Sequence, residues 1–147
     1  MRRLTPPIFR RFPTKVRLVS GIYRHIGATS QQGVMVISVE LAEVKDYMVA
    51  EELRYELVDC VKRSPNNKFV LDLQNMSFMT SLACVAFIGL KHSVRENNGE
   101  LILCHMTDFI RKIFSAKRLL TPSQNTGNVA FEDAETLDEA LARLQGS

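Results

Sequence analysis

The chain has 147 residues and a mass of 16.7 kDa, 46% hydrophobic and 24% charged, which fits one globular domain with a real core and excludes two full domains. Its formal net charge of +3 hides an asymmetry: residues 1–24 hold seven cations and no acid, and the remainder sets twelve Lys and Arg against sixteen Asp and Glu, a net −4. That acidic body lacks a basic stripe interleaved with aromatics, so no direct nucleic-acid contact is expected, and the longest apolar run, nine residues from Leu82 to Leu90, falls short of the roughly 20 a membrane span needs.

Residues 1–20 read as a flexible basic arm in which Pro6, Pro7 and Pro13 disfavour a continuous amphipathic membrane helix. There is no apolar stretch of signal-peptide type, and three cysteines in a chain too large to need disulfides point to a reducing cytoplasm. The folded domain is expected over 21–147. Gly21 to Thr29 and the β-branched run Val34–Val39 predict a hairpin across Ser30-Gln31-Gln32. Asp46 is a plausible N-cap for a helix whose Ala50, Leu53, Leu57 and Val61 form one face, with Glu51, Arg54, Glu56 and Asp59 on the solvent side. Ser64-Pro65-Asn66-Asn67 ends it, and Lys68–Leu73 follows as an interior strand.

A second helix is predicted from about Ser81 to Asn97, with Leu82, Val85, Ile88 or Gly89, and His92 on one face and Asn97-Asn98-Gly99 as its stop. Its first half is apolar all round, so it is either covered on several sides or exposes a patch that a partner buries. Leu101–Cys104 reads as a strand, and Thr107 or Asp108 caps a helix that carries Phe109, Ile110, Ile113 and Phe114 toward the core. Residues 121–128 read as a polar loop, Val129–Phe131 as a short strand, and Asp133–Leu144 as a helix with early acids, a late Arg143, and Leu137, Leu141 and Leu144 inward. Strands alternating with helices imply an α/β fold: a mixed, largely parallel sheet of about five strands, opened by an antiparallel hairpin and covered by about four helices.

Catalytic and cofactor chemistry finds little footing. Cys60, Cys84 and Cys104 lie far apart, none of His25, His92 and His105 has a ligand-spaced neighbour, and at a strand end the adjacent Cys104 and His105 are expected to point to opposite faces. Neither metal nor cofactor is expected. No phosphate-cradling glycine motif or nucleophile elbow occurs, and acid pairs such as Glu51-Glu52 fall on exposed helix faces, so no catalytic residues are assigned and the chain does not read as an enzyme.

The informative stretch is Phe69–Ser81, where a buried strand feeds a short loop and then a hydroxyl pair opening an apolar helix. A helix start carries about half a positive charge and unpaired amides, so Thr80 or Ser81 can serve simply as an N-cap. The alternative is a phosphoswitch, in which nearly two negative charges arrive where an apolar helix start would otherwise dock a partner.

At these residues the sequence resembles the STAS domain, the family of bacterial anti-sigma factor antagonists and of the cytoplasmic tails of sulfate transporters. The likeness covers about residues 21–145 and rests on Leu71-Asp72-Leu73, Phe78-Met79-Thr80-Ser81-Leu82-Ala83-Cys84, Ile88-Gly89-Leu90, Asn98-Gly99-Glu100-Leu101-Ile102-Leu103 and Asp138-Glu139-Ala140-Leu141, in family order and spacing. The resemblance implies that Ser81 is a phosphoacceptor, with Thr80 as the alternative, and that Thr80, Leu82, Ala83 and Val85 contact the partner. That partner would be an anti-sigma factor that is itself a serine protein kinase: the unphosphorylated antagonist binds it and frees a sigma factor, and phosphorylation switches binding off. The family's Asp, second Ser and Gly are replaced here by Thr80, Leu82 and Ala83. Those replacements keep open a non-phosphorylated STAS scaffold or stress-complex subunit, associated with other STAS proteins or with itself, and the apolar helix Leu82 to Leu90 keeps open a STAS accessory module of a transport system.

Overall fold

The computed structural model describes residues 23–120 and 130–146. The expected basic arm and the expected polar loop at 121–128 lie outside them. Strands β1 (Ile26–Gln31) and β2 (Val34–Val39) pair antiparallel, from Ile26 opposite Val39 to Gln31 opposite Val34. The hairpin turn is shifted from its expected place: Ser30 and Gln31 stay in the strand, and the loop is Gln32-Gly33, with φ of 55° and 80°. Two positive φ values in a two-residue loop give the twist that antiparallel strands need, and Gly33 adopts its share without a Cβ penalty.

After the two-residue β3 (Glu43–Val44), Asp46 accepts the Val49 amide at 2.9 Å and starts α1 (Tyr47–Arg63). Ala50, Leu53, Leu57 and Val61 are buried as their spacing predicts. Glu56 corrects the expected solvent face: it is 8% exposed, and its two oxygens accept the His25 amide at 2.8 Å and the Arg24 amide at 3.0 Å. An acid is held inside because the segment entering β1 has amides to satisfy and the carboxylate supplies two acceptors.

The chain continues through β4 (Lys68–Asp72), β5 (Phe78–Met79), a 3-10 turn (Ser81–Ala83), α2 (Cys84–Glu96), β6 (Glu100–Cys104) and α3 (Asp108–Ala116), then β7 (Glu132–Ala134) and α4 (Leu137–Gln145). The main sheet runs β1-β2-β4-β6-β7, parallel at every pair after the hairpin, and β3 pairs parallel with β5 in a separate ribbon. One core lies between the sheet residues Met35, Ile37, Phe69, Leu71, Leu101 and Leu103 and the helices α1, α2 and α3; the other packs Val34, Val36, Val70, Ile102 and Cys104 against α4. Strand β4 is therefore covered on both faces, which is why it reads as an uninterrupted apolar run.

Three further expectations are corrected. Val129 lies outside the described residues, and Ala130 and Phe131 precede the last strand, because Phe131 is drawn into the core edge-on to Phe114 at 5.5 Å and the ladder with β6 begins only at Glu132. Asp133 consequently sits in β7, and Thr136, which accepts the Glu139 amide, caps the final helix. Phe109 is 41% exposed rather than in the core; it stacks on Phe78 at 5.1 Å, while Ile110 and Phe114 turn inward. Among the described residues no helix is long and apolar enough to cross a membrane.

Candidate functional site

Strand β4 ends at Asp72, and the chain crosses to β5 and then turns sharply at Thr80. The β3–β5 ribbon holds this crossing: the Ser77 and Phe78 amides donate to the Ala42 carbonyl at 2.9 and 3.2 Å, and the Thr80 amide donates to the Val44 carbonyl at 3.0 Å. Thr80 is extended (φ −95°, ψ 171°), and its carbonyl accepts the Ala83 amide at 3.0 Å, closing the 3-10 turn. Neither hydroxyl acts as the expected side-chain cap. Thr80 occupies the N-cap position, yet its Oγ1 is buried without a hydrogen-bond partner.

Ser81, by contrast, is exposed. Beyond it, Leu82, Val85 and Ile88 are 43%, 39% and 49% exposed, and at helical spacing they form one apolar stripe with Ser81 at its N-terminal end. Of the residues expected to contact a partner, Leu82 and Val85 reach the surface, Ala83 is fully buried, and Thr80 is half-buried. Small residues are among those turned inward. Ala83 and Ala86 are buried together with Phe87, Leu90 and Val94, and a Cβ at Gly89 would stand 2.8 Å from Arg54 Cγ of α1, so α2 lies close against α1 while Leu82, Val85 and Ile88 face outward. The stack of half-buried Phe78 on exposed Phe109 leaves no signal in local periodicity, since the two residues are 31 apart.

A second cluster was also illegible. Asp72 and Cys104 are direct partners across the parallel β4–β6 pair, and His105 adopts φ 60°, which swings its ring back toward them. The expectation that Cys104 and His105 point to opposite faces is corrected: His105 Nδ1 is 3.8 Å from Cys104 Sγ and 3.0 Å from Asp72 Oδ1. Cys60 and Cys84 are buried elsewhere, and burial pushes both thiols up.

The STAS domain family profile matches residues 25–122. The chain belongs to the STAS domain family. Solved structures agree on the fold. The anti-sigma factor antagonist SpoIIAA in its unphosphorylated form is 20% identical with a TM-score of 0.58, covering 90% of this chain and 98% of that one. An anti-sigma factor antagonist from Mycobacterium paratuberculosis is 19% identical with a TM-score of 0.63, covering 91% and 97%. The phosphorylated form of the Bacillus cell fate determinant SpoIIAA is 19% identical with a TM-score of 0.54, covering 88% and 96%. Among the described residues of this STAS domain the expected mixed sheet and four helices are present, with the β3–β5 ribbon in addition.

Proposed function

We propose that this STAS domain is an anti-sigma factor antagonist of the partner-switching type, acting in a bacterial cytoplasm, with Ser81 as the phosphoacceptor. The observation that carries the reading is the contrast at the turn: the Ser81 side chain is open to solvent at the head of the Leu82, Val85 and Ile88 stripe, whereas the Thr80 hydroxyl is enclosed. Unphosphorylated protein docks this stripe on an anti-sigma factor with serine kinase activity and so releases a sigma factor. Transfer of a phosphoryl group to Ser81 adds nearly two negative charges at the start of a helical segment, where they are compatible with the protein's own fold. The same charges must lose water if the stripe is buried by a partner, and that desolvation opposes docking. The domain holds no nucleotide and turns nothing over; it is the kinase's substrate and its ligand.

Incubation with the kinase and ATP, followed by peptide mapping, is expected to place one phosphoryl group on Ser81 and none on Thr80. Ser81→Asp is expected to weaken kinase binding about a hundredfold, or about 2.7 kcal/mol, with the thermal midpoint nearly unchanged. Ile88→Glu tests the stripe without touching the acceptor and should weaken binding in the same direction. Full binding by Ser81→Asp together with no modification of Ser81 favours instead a non-phosphorylated scaffold, the reading that the Thr80, Leu82 and Ala83 substitutions in the turn support.

A further inference from the structure

We propose that Asp72, Cys104 and His105 form a mononuclear site for Zn2+, in which one carboxylate oxygen, the cysteine sulfur and His105 Nδ1 are protein ligands and solvent completes the tetrahedron. Backbone register supplies the first two donors. Asp72 and Cys104 face each other across neighbouring parallel strands, so their side chains leave the same face of the sheet, at the carboxyl ends where α/β folds gather ligands. The third donor arrives against the strand alternation. A histidine following Cys104 in extended backbone would project to the other face, and the left-handed φ of 60° returns its ring to the side of Asp72 and Cys104. Backbone strain of this kind, on a residue with a Cβ, persists where surrounding contacts hold it and gathers at functional sites.

The spacing fits one small ion. All three donor atoms lie within 4.8 Å of one another, with Nδ1 to Sγ at 3.8 Å and Nδ1 to Oδ1 at 3.0 Å. Tetrahedral zinc with bonds of about 2.0–2.3 Å separates its ligands by about 3.5 Å, so the metal requires only small side-chain rotations. The donor set selects the class of ion: sulfur and imidazole suit zinc, whereas magnesium and calcium take oxygen ligands. Asp72 Oδ1 also accepts the Gln74 amide at 2.9 Å, an outer contact that fixes the carboxylate. Cys104 is fully buried, and the ion enters past the partly exposed Asp72 and His105. On binding, the Cys104 thiol gives its proton to solvent as the zinc–sulfur bond forms, and His105 carries its remaining proton on Nε2.

Titration of the full chain with Co2+ is expected to give one equivalent bound, a thiolate-to-cobalt charge-transfer band in the near ultraviolet and the intense visible bands of a four-coordinate ion, all removed by Zn2+. Cys104→Ala should abolish the charge-transfer band. His105→Gly, which accepts the left-handed backbone more readily than histidine, keeps the fold and should raise the Kd at least about tenfold, as should Asp72→Asn. No thiolate band in the wild-type protein, or a band that survives His105→Gly and Cys104→Ala but disappears in Cys60→Ala or Cys84→Ala, overturns the assignment. Circular dichroism of each variant separates loss of the site from loss of the fold.

Discussion

The Glu56 carboxylate joins residues more than thirty positions apart, accepting the amides of Arg24 and His25 while the neighbouring Glu52 meets His25 Nε2 at 2.8 Å. Replacing it with alanine strips acceptors from a buried amide, so Glu56→Ala is expected to cost about 2–3 kcal/mol. The measurement is the urea midpoint at unchanged slope, and a shift worth less than about 0.5 kcal/mol, the range of an ordinary surface change, contradicts the role. The helical period did not reveal Glu56, although it lies between Leu53 and Cys60 on a broad buried stripe. Its charge argued for water, and the amides that outweigh the charge belong to another segment. The direction of His105 was misjudged for a related reason: a strand-end residue is read by alternation, and a positive φ breaks alternation without leaving a mark in composition. The place of Ser81 at the start of a helical segment was readable because its signal is local, a hydroxyl between a buried strand and an apolar helix.

Among the elements, α1 was fixed by its period and by Asp46, and β4 and β6 by compact apolar runs between turns. The orientation of α2 was not. With apolar residues on every side, its period distinguishes no face, and the choice falls to fit: Ala83, Ala86 and Gly89 are on the side that meets neighbours, leaving Leu82, Val85 and Ile88 outward. Strand β7 was misplaced because Glu132-Asp133-Ala134 has no strand propensity of its own and is extended only by pairing with β6. The junction of α2 and β6 offers a test at this scale. A Cβ on Gly99 would stand 2.5 Å from the Asn67 carbonyl oxygen, itself the acceptor of the Glu100 amide at 2.9 Å, so the obstacle is backbone and cannot rotate away. Gly99→Ala is expected to destabilise by about 1–3 kcal/mol. Gly89→Ala, whose Cβ would crowd the flexible Arg54 side chain and meet Val58 at an ordinary 3.9 Å, should cost less, and denaturation of the two variants side by side checks the order.

For the whole molecule, the alternation of strands and helices was sufficient to reveal the sheet and its parallel sense, since only crossovers through helices connect such strands. The β3–β5 ribbon was hidden, because two-residue strands carry no periodicity. Global stability should also carry a pH signature. Burial, with Asp59 adding its charge, raises the Cys60 thiol from 9.0 to about 12, and burial raises the Tyr23 phenol as well, supported by Cys60 and by the hydrogen bond to Asp59. Above pH 9 the unfolded chain surrenders the Cys60 proton that the folded chain keeps. Stability should therefore be at its full value below about pH 9 and fall as pH rises toward about 12, by about 1.4 kcal/mol per unit for each such group. Denaturation over that range should show a shallower decline in Cys60→Ala, and an equal slope in both proteins assigns the effect elsewhere.

The ribbon has one more consequence. Because main-chain bonds to Ala42 and Val44 fix the path of residues 77–80, the backbone leading to Ser81 is set before any enzyme arrives. Under the proposed switch, tagged and untagged protein then share one shape and differ in charge alone. Recognition would turn on the cost of stripping water from that charge instead of on refolding, so the two forms should share one circular dichroism spectrum while their affinities differ.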